Sequence, residues 1–174
     1  MVSGNMAKKK QVRATKSASA PQTYGYSKKV LEIFQNPKNI GEIKNPDGFG
    51  KVGNPSCGDL MYMYLRISKD GRDRILDIKI KTFGCLGAIS SSSILTEMVK
   101  GMTIEQALKV TKDQVVKELG GLPPIKIHCS ILSVDALKED VYDYYKKTGR
   151  KITKDLQEAH ERNERVCIGI EHMH

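Results

Sequence analysis

The alternation of apolar and polar residues predicts three consecutive β-strands in the first half of the chain. Every second residue from 61 to 67 is apolar, which is typical of a strand with one covered face. The same alternation runs from 74 to 83, after an Asp70-Gly71 hairpin turn. A shorter strand around Val52 precedes them and ends at Asn54-Pro55. The buried face of the 74–83 strand is predicted to carry Leu76, Ile78 and Ile80. Consecutive strands with one covered face indicate an antiparallel meander.

Helical patterns surround these strands. Ser27 can cap a short helix that Pro37 ends, and a longer helix begins after Cys85 and stops at Gly101. Two capping boxes, Thr103–Gln106 and Thr111–Gln114, start short helices. Two further helices are predicted, one from His128 to Gly149 and one over about Thr153 to Arg165. The predicted fold class is α+β, a small antiparallel sheet of about three strands with helices packed on one face.

Other segments carry weaker patterns. Residues 36–50 are rich in Asn, Gly and Pro and are predicted to form a loop. Residues 122–126 contain two prolines, so we expect an extended segment there. The helix over about 153–165 has few apolar positions, which predicts weak packing on the rest of the domain.

The net charge of +9 is concentrated at the amino terminus. Residues 1–23 hold five basic and no acidic residues, and we expect a disordered basic tail, part of which can derive from cloning. The predicted folded domain spans 24–149, and 150–174 form a polar C-terminal extension. Nucleic-acid binding is unlikely, because such proteins carry basic charge on a structured face. Without a membrane-length apolar run or a signal-peptide pattern, we expect a soluble intracellular protein.

Three of the four cysteines lie at places suited to chemistry. Cys85 and Cys129 are predicted at helix N-termini, where thiolates are favoured, and Cys57 lies in a glycine turn. Asp59 and His128 are close neighbours of these thiols in sequence. Soft thiolates with an imidazole suit zinc or iron–sulfur clusters. From spacing alone, however, buried packing of Cys57 and Cys129 explains the sequence equally well.

The segment from about Tyr26 to Thr148 resembles the IscU-type iron–sulfur cluster assembly scaffolds, the N-terminal module of NifU-like proteins. Separate motifs match in family order: Tyr26-Ser-Lys-Lys-Val30, Asn36-Pro-Lys-Asn-Ile-Gly41, Cys57-Gly-Asp59, Thr82-Phe-Gly-Cys85 with Ser91-Ser-Ser93 and Leu95-Thr-Glu97, and Leu122-Pro-Pro-Ile-Lys-Ile-His-Cys-Ser130.

The resemblance implies a scaffold, not an enzyme. Such proteins accept persulfide sulfur from a cysteine desulfurase, collect iron, build a [2Fe–2S] cluster and transfer it to recipient apo iron–sulfur proteins. By motif, Cys57, Cys85 and Cys129 ligate the cluster, and His128 or Asp59 is the natural fourth ligand. Cys129 is the candidate persulfide acceptor. A hard carboxylate ligand suits an exchangeable site, so Asp59 is expected to keep the cluster labile.

The resemblance also suggests partners. An Hsp70-type chaperone is expected to dock on Leu122, Pro123, Pro124, Ile125 and Lys126, which can equally be a rigid spacer. A ferredoxin or frataxin-like partner and a homodimer are further candidates. The implied location is the cytoplasm, or an organelle matrix in a eukaryote.

Three other functions fit parts of the sequence. The same thiols and Asp59 can hold tetrahedral Zn²⁺ in a sulfur acceptor, although His128 counts against the acceptor subtype, which lacks it. A thiol enzyme using Cys129 with His128 is disfavoured, because adjacent residues rarely face each other. A nucleic-acid module would rest on the basic tail alone.

If the chain is a scaffold, the three matched cysteines must meet at one exposed end of the domain. Cys167, His172 and His174 fall outside the matched pattern and inherit no role from the family. We expect Cys167 to be an exposed thiol on the C-terminal extension.

Overall fold

The computed structural model describes residues 25–55 and 57–171, with side chains as far as Val166. In chain order its elements are α1 (Lys28–Gln35), β1 (Gly48–Asn54), β2 (Asp59–Ile67), β3 (Ile75–Phe83), α2 (Leu86–Val99), α3 (Ile104–Ala107), α4 (Lys112–Glu118), a 3₁₀ turn (Pro124–Lys126), α5 (Ile127–Thr148) and α6 (Lys154–Glu171). The predicted tail over residues 1–23, His172 and His174 lie outside the described residues, as does the side chain of Cys167.

The strands form one antiparallel sheet in the order β1-β2-β3. Alternate residues of β2, including Met61, Met63 and Leu65, are fully buried beneath the helices. The helices α2 and α5 cover this face and pack against each other. The predicted α+β class, with its antiparallel sheet and covering helices, is confirmed.

The prediction for one face of β3 was partly wrong. Leu76 is 56% exposed, whereas Ile75, Ile78 and Ile80 are buried. The pairing with β2 shifts at Ile67, which faces Ile75, so that Leu76 is an extra residue in the ladder. A bulge of this kind moves a side chain to the opposite face without changing the alternation that follows.

The loop predicted over 36–50 ends earlier than expected, because β1 begins at Gly48. A Cβ atom on Gly48 would lie 2.4 Å from the Asp140 carbonyl oxygen, and one on Gly50 would lie 2.5 Å from the Ala136 oxygen. The two glycines therefore let α5 lie directly on the strand. Glycine is depleted in strands, so propensity hid this part of β1.

Capping explains where the short helices begin. The Ser27 hydroxyl accepts the Val30 N–H at 3.2 Å, and both capping boxes form as predicted, at Thr103 with Gln106 and at Thr111 with Gln114. Gly149, with φ +67°, ends α5 in the left-handed conformation.

Two predictions about the second half of the chain were wrong. The segment predicted as extended contains a 3₁₀ turn over Pro124–Lys126, because proline is well suited to the first position of a helical turn. The last helix does not pack weakly: Leu156 and Ala159 are each 1% exposed, and α6 packs on α5 and β1. Among the described residues, no helix combines the length and apolar character needed to cross a membrane.

Candidate metal and sulfur site

Asp59 is the central residue of the candidate site. It is the first residue of β2 and is 3% exposed. Its Oδ1 accepts the backbone N–H of Cys85 at 3.0 Å, and its Oδ2 lies 3.5 Å from the Cys85 sulfur and 3.6 Å from the Cys129 sulfur. One carboxylate thus contacts two thiols that are 44 residues apart in the chain.

Cys85 is the N-cap of α2, as the sequence predicted. Gly84 precedes it, and a Cβ atom there would lie 3.0 Å from the Asp59 carboxyl carbon. Only glycine lets the end of β3 approach the carboxylate this closely. A hydrogen bond from the Cys129 thiol lowers the pKa of Cys85 to about 6, against the opposing effect of burial. Cys85 is therefore the thiolate of the pair.

Cys129 lies in the first turn of α5, and its side chain is buried. Its Sγ is 3.3 Å from the Cys85 Sγ, and both thiols are free. The hydrogen bond to Cys85 raises the pKa of Cys129 strongly, and burial and the Asp59 charge act in the same direction. The sequence argument that the helix N-terminus favours a Cys129 thiolate is thus contradicted, because the stronger local effect leaves the proton on Cys129.

Cys57 occupies a turn between β1 and β2, and Gly58 follows it with φ +71°. Its backbone N–H donates to the Asn54 carbonyl at 3.3 Å. Burial raises the pKa of the Cys57 thiol, although the residue is partly exposed. The turn places this thiol within 4.8 Å of ligand atoms of Asp59 and His128.

His128 completes the set. Its Nε2 atom is buried and has no hydrogen-bond partner among the described residues. A buried imidazole nitrogen without a partner carries an energetic penalty, which a ligand could relieve. Atoms of Cys57, Asp59 and His128 that can bind a metal all lie within 4.8 Å of one another, and so do those of Asp59, Cys85 and Cys129.

The structure therefore brings the five residues proposed from the sequence to one end of the sheet, with Asp59 common to both groups. Three thiols, one imidazole and one carboxylate offer soft and hard ligands together. Such a set can hold iron or zinc.

Two residues near the thiols were not assigned to the site by the sequence argument. The Cys85 thiolate raises the pKa of Lys126, and burial, followed by the Cys85 charge, raises that of Tyr26. Both residues lie within matched motifs, but no pattern in the sequence shows that they lie near the Cys85 charge. A lysine there favours the thiolate and anionic sulfur ligands.

The segment predicted to bind a partner flanks this site. Ile125 is 77% exposed, whereas Leu122 is buried at 9% exposure. The exposed isoleucine agrees with a docking role, which stays a prediction.

Comparison with known proteins agrees with the fold and identifies the family. The family model described as the NifU-like N-terminal domain matches residues 25–151. An iron–sulfur cluster assembly scaffold protein IscU of Archaeoglobus fulgidus is 56% identical over 72% of this chain and 80% of its own length. The mitochondrial iron sulfur cluster assembly protein 1 of Debaryomyces hansenii is 46% identical over 82% of this chain and 80% of its own length.

A solved structure supports the fold. The N-terminal part of a NifU-like protein from Brucella abortus superposes with a TM-score of 0.57 at 23% identity, covering 72% of this chain and 97% of that one.

The fold and the gathered thiols define a small α+β scaffold protein of the iron–sulfur assembly class. The chain belongs to the NifU-like N-terminal domain family, with curated IscU scaffolds among its relatives. Proteins of this class are carriers, not enzymes. The chain is thus a scaffold protein of iron–sulfur cluster assembly.

Proposed function

We propose that the protein builds [2Fe–2S] clusters on Cys57, Cys85 and Cys129 and passes them to recipient apo-proteins. The observation that carries this proposal is the shared carboxylate of Asp59, which lies 3.5 and 3.6 Å from the sulfurs of Cys85 and Cys129. Ligand atoms of Cys57 and His128 also lie within 4.8 Å of the same carboxylate. The cluster is cargo, so a site of mixed soft and hard ligands suits it.

The sulfur is proposed to come from the persulfide of a cysteine desulfurase. A thiolate of this chain attacks the outer sulfur, a new S–S bond forms, and the donor cysteine leaves as thiolate. Cys129 stays the proposed acceptor. Cys129 attacks as the thiolate, so it must first lose the proton that it shares with Cys85, whose Sγ lies 3.3 Å away.

The persulfide sulfur needs two electrons to become sulfide, so an electron donor such as a ferredoxin must take part. A frataxin-like partner, a homodimer and an Hsp70-type chaperone docking on residues 122–126 remain proposals of the same kind. The exposed Ile125 supports the chaperone proposal. The proposed location is the cytoplasm, or an organelle matrix if the source is eukaryotic.

The fourth ligand is proposed to be His128 or Asp59. His128 offers a buried Nε2 without a partner, and Asp59 lies next to two thiols. During transfer, a cysteine of the recipient can replace either one.

The test is anaerobic reconstitution with ferrous iron, cysteine, a desulfurase and an electron donor such as reduced ferredoxin, read by visible absorption, Mössbauer spectra and metal analysis. We expect a coloured protein with two iron and two sulfide per cluster, and loss of the colour when Cys57, Cys85 or Cys129 is replaced singly by serine. Full reconstitution of all three variants would contradict the proposal. Mass spectrometry after the sulfur-transfer step identifies the acceptor, and labelling confined to cysteines other than Cys129 would exclude it.

A zinc-holding sulfur acceptor is the second candidate. Thiolate, imidazole and carboxylate ligands within 4.8 Å of one another also suit tetrahedral zinc. A colourless protein that retains zinc and gives no sulfide-containing product in the same experiment would favour this function.

A further inference from the structure

The sheet has one covered face and one open face. Within β1, β2 and β3, the residues that alternate with the buried set are all exposed or half-buried. The strand register brings their side chains together on the face opposite the one that α2 and α5 cover. The central part of this open face consists of Phe49, Lys51, Tyr62, Tyr64, Arg66, Asp77, Lys79 and Lys81.

Three aromatic rings form the middle of the open face. Phe49 stacks on Tyr62 with ring centroids 6.2 Å apart and an angle of 23° between the planes. It also meets Tyr64 at 5.3 Å and 51°. All three residues are half-buried, so part of the cluster surface is in contact with solvent. Exposed aromatic surface of this kind offers a flat partner a place to stack.

Basic side chains flank the rings on both edge strands. The pairing places Tyr62 between Lys51 on β1 and Lys81 on β3, and Tyr64 between Phe49 and Lys79. Outward side chains that follow one another on a strand are about 7 Å apart. Rings and positive charges therefore alternate at short intervals across the sheet.

The open face has an excess of positive charge. Four basic side chains lie on it, namely Lys51, Arg66, Lys79 and Lys81. Its one carboxylate, Asp77, pairs with Lys100 on the helix side at 2.7 Å. Lys81 pairs with Glu42 at 2.6 Å, but about half of each of these two side chains is exposed. An ion pair this exposed contributes little, so a phosphate can replace the Glu42 carboxylate.

Charge complementarity selects the partner. A second copy of the face would bring like charges together, and residues 1–23, with five basic and no acidic residues, carry the same sign. The partner must therefore be anionic. Lysines alone would serve an acidic protein, whereas aromatic rings between lysines also serve nucleobases. The bases must be unpaired, because those of a duplex are already stacked on one another.

We propose that the open face binds single-stranded nucleic acid, with bases stacked on its aromatic rings and phosphates paired with the flanking lysines. Binding is tolerant of sequence, since every base has a flat face. Basic charge interleaved with aromatic rings on a structured face is typical of nucleic-acid binding, and no pattern in the sequence located such a face here. The inference does not rest on the proposed function.

Fluorescence anisotropy of a labelled oligothymidine of about 15 nucleotides, titrated with the full-length, metal-free chain, tests the proposal. We expect a Kd of about 1–100 µM near physiological salt, rising steeply with salt concentration. A polyglutamate peptide with the same number of charges is expected to bind at least about tenfold more weakly, because it lacks bases to stack. Absence of oligothymidine binding would overturn the proposal. Equal affinity for polyglutamate would do so too, since it would indicate an acidic protein as the partner.

Variants separate stacking from charge. Tyr64→Leu keeps apolar bulk but removes a ring, and it is expected to weaken oligothymidine binding about tenfold. Lys79→Gln combined with Lys81→Gln is expected to make the slope of log K against log salt shallower by about 1.4, which corresponds to two phosphate contacts. The control pair is Lys112→Gln with Lys146→Gln, which removes the same charge from exposed lysines of α4 and α5.

The outcomes are decisive in both directions. Wild-type affinity in Tyr64→Leu, or a salt slope in the sheet pair equal to that of the control pair, would overturn the proposal. If circular dichroism shows that Tyr64→Leu does not fold, Tyr62→Leu takes its place with the same expectation.

The basic residues at the amino terminus need their own control. In a chain with Lys8, Lys9 and Lys10 replaced by glutamine, binding is expected to persist and to remain sensitive to Tyr64→Leu. Loss of all binding in that chain would overturn the proposal, because the contacts would then lie outside the sheet. Since no metal is needed, failure here leaves the scaffold function untouched, and failed reconstitution leaves this inference untouched.

Discussion

The Asp59 carboxylate holds Cys85 by two contacts: its Oδ1 accepts the Cys85 backbone N–H at 3.0 Å, and its Oδ2 lies 3.5 Å from the Cys85 sulfur. Because Asp59 is only 3% exposed, both contacts are shielded from water. The carboxylate therefore positions the helix end and also belongs to both groups of side chains that could hold a metal ion. A substitution of Asp59 is therefore expected to change both the stability of the site and the lifetime of a cluster bound there.

We expect Asp59→Ala to slow cluster loss from the reconstituted protein by about tenfold, the scale on which ligand surroundings change metal affinity. The hard oxygen ligand is removed, so the softer thiolates hold the iron without its competition. The measurement is the decay of visible absorption in the presence of a chelator. Asp59→Asn is the control, since its amide oxygen can still accept the Cys85 N–H. Loss no slower than wild type in both variants would remove this role from Asp59.

The Cys129 thiol is expected to control the reactivity of Cys85. Its hydrogen bond lowers the pKa of Cys85 to about 6, so the rate of Cys85 alkylation should reach half its maximum near pH 6. Cys129→Ala removes the donor, and the midpoint should rise toward the ordinary thiol value of about 8.5. Peptide-level mass spectrometry after brief treatment with iodoacetamide measures the profile for Cys85 alone.

Cys129→Ser is the matched variant, because its hydroxyl can still donate. We expect an intermediate midpoint. A Cys85 profile that is the same in the wild type and both variants would show that the short sulfur–sulfur contact does not set the reactivity.

The sequence identified the sheet well, because alternation reports which face is buried. It failed at Leu76, since a bulge moves one residue out of phase and leaves no mark in the pattern. It missed Gly48 and Gly50 as strand residues because their role is to admit the backbone of α5, a contact between elements about 90 residues apart.

The site was predicted by motif resemblance, while spacing alone left it open. Nothing in the spacing of Cys57, Cys85 and Cys129 requires that they meet, since tertiary packing decides this. The packing of α6 was missed for a related reason. Beside the buried Leu156 and Ala159, both His160 and Asn163 contact Glu139, and an apolar-position count gives such polar side chains no weight.

Asp140 offers a test of the energetic balance inside the domain. It is fully buried on α5, and neither carboxylate oxygen has a hydrogen-bond partner in the described part of the chain. Burial, with the charge of Asp143 second, raises the pKa of Asp140 well above its ordinary value. A raised acid pKa means that the folded state holds the proton longer than the unfolded state does. The contribution of Asp140 to stability is therefore highest below about pH 4 and falls as pH rises toward the folded-state pKa.

Asp140→Ala is consequently expected to raise the free energy of unfolding by about 1–3 kcal/mol at pH 7.5 relative to wild type, with the gain shrinking toward pH 4. Urea unfolding followed by circular dichroism at both pH values measures it. The informative quantity is the difference between the gain in unfolding free energy at pH 7.5 and the gain at pH 4. Any cavity left by the substitution contributes equally at both pH values and cancels in this difference. A gain that does not depend on pH would show that the pKa of Asp140 is the same in the folded and unfolded states, as it would be if the carboxyl group were in contact with solvent.

The close approach of α5 to β1 predicts a large cost for one added methyl group. A Cβ atom on Gly50 would lie 2.5 Å from the Ala136 carbonyl oxygen and 2.9 Å from the Asp140 nitrogen, both backbone atoms that cannot rotate away. Gly50→Ala should therefore lower the free energy of unfolding by about 3 kcal/mol, the upper end of the cost of overpacking. Gly71→Ala is the comparison: its Cβ would meet nothing within 4 Å, and its φ of +78° leaves only the strain of a left-handed residue, about 1 kcal/mol. Urea unfolding measures both.

Because α5 also carries Cys129, Gly50→Ala should in addition move the Cys85 alkylation midpoint upward, whereas Gly71→Ala should not. A Gly50→Ala protein as stable as Gly71→Ala would contradict the direct contact between α5 and the strand.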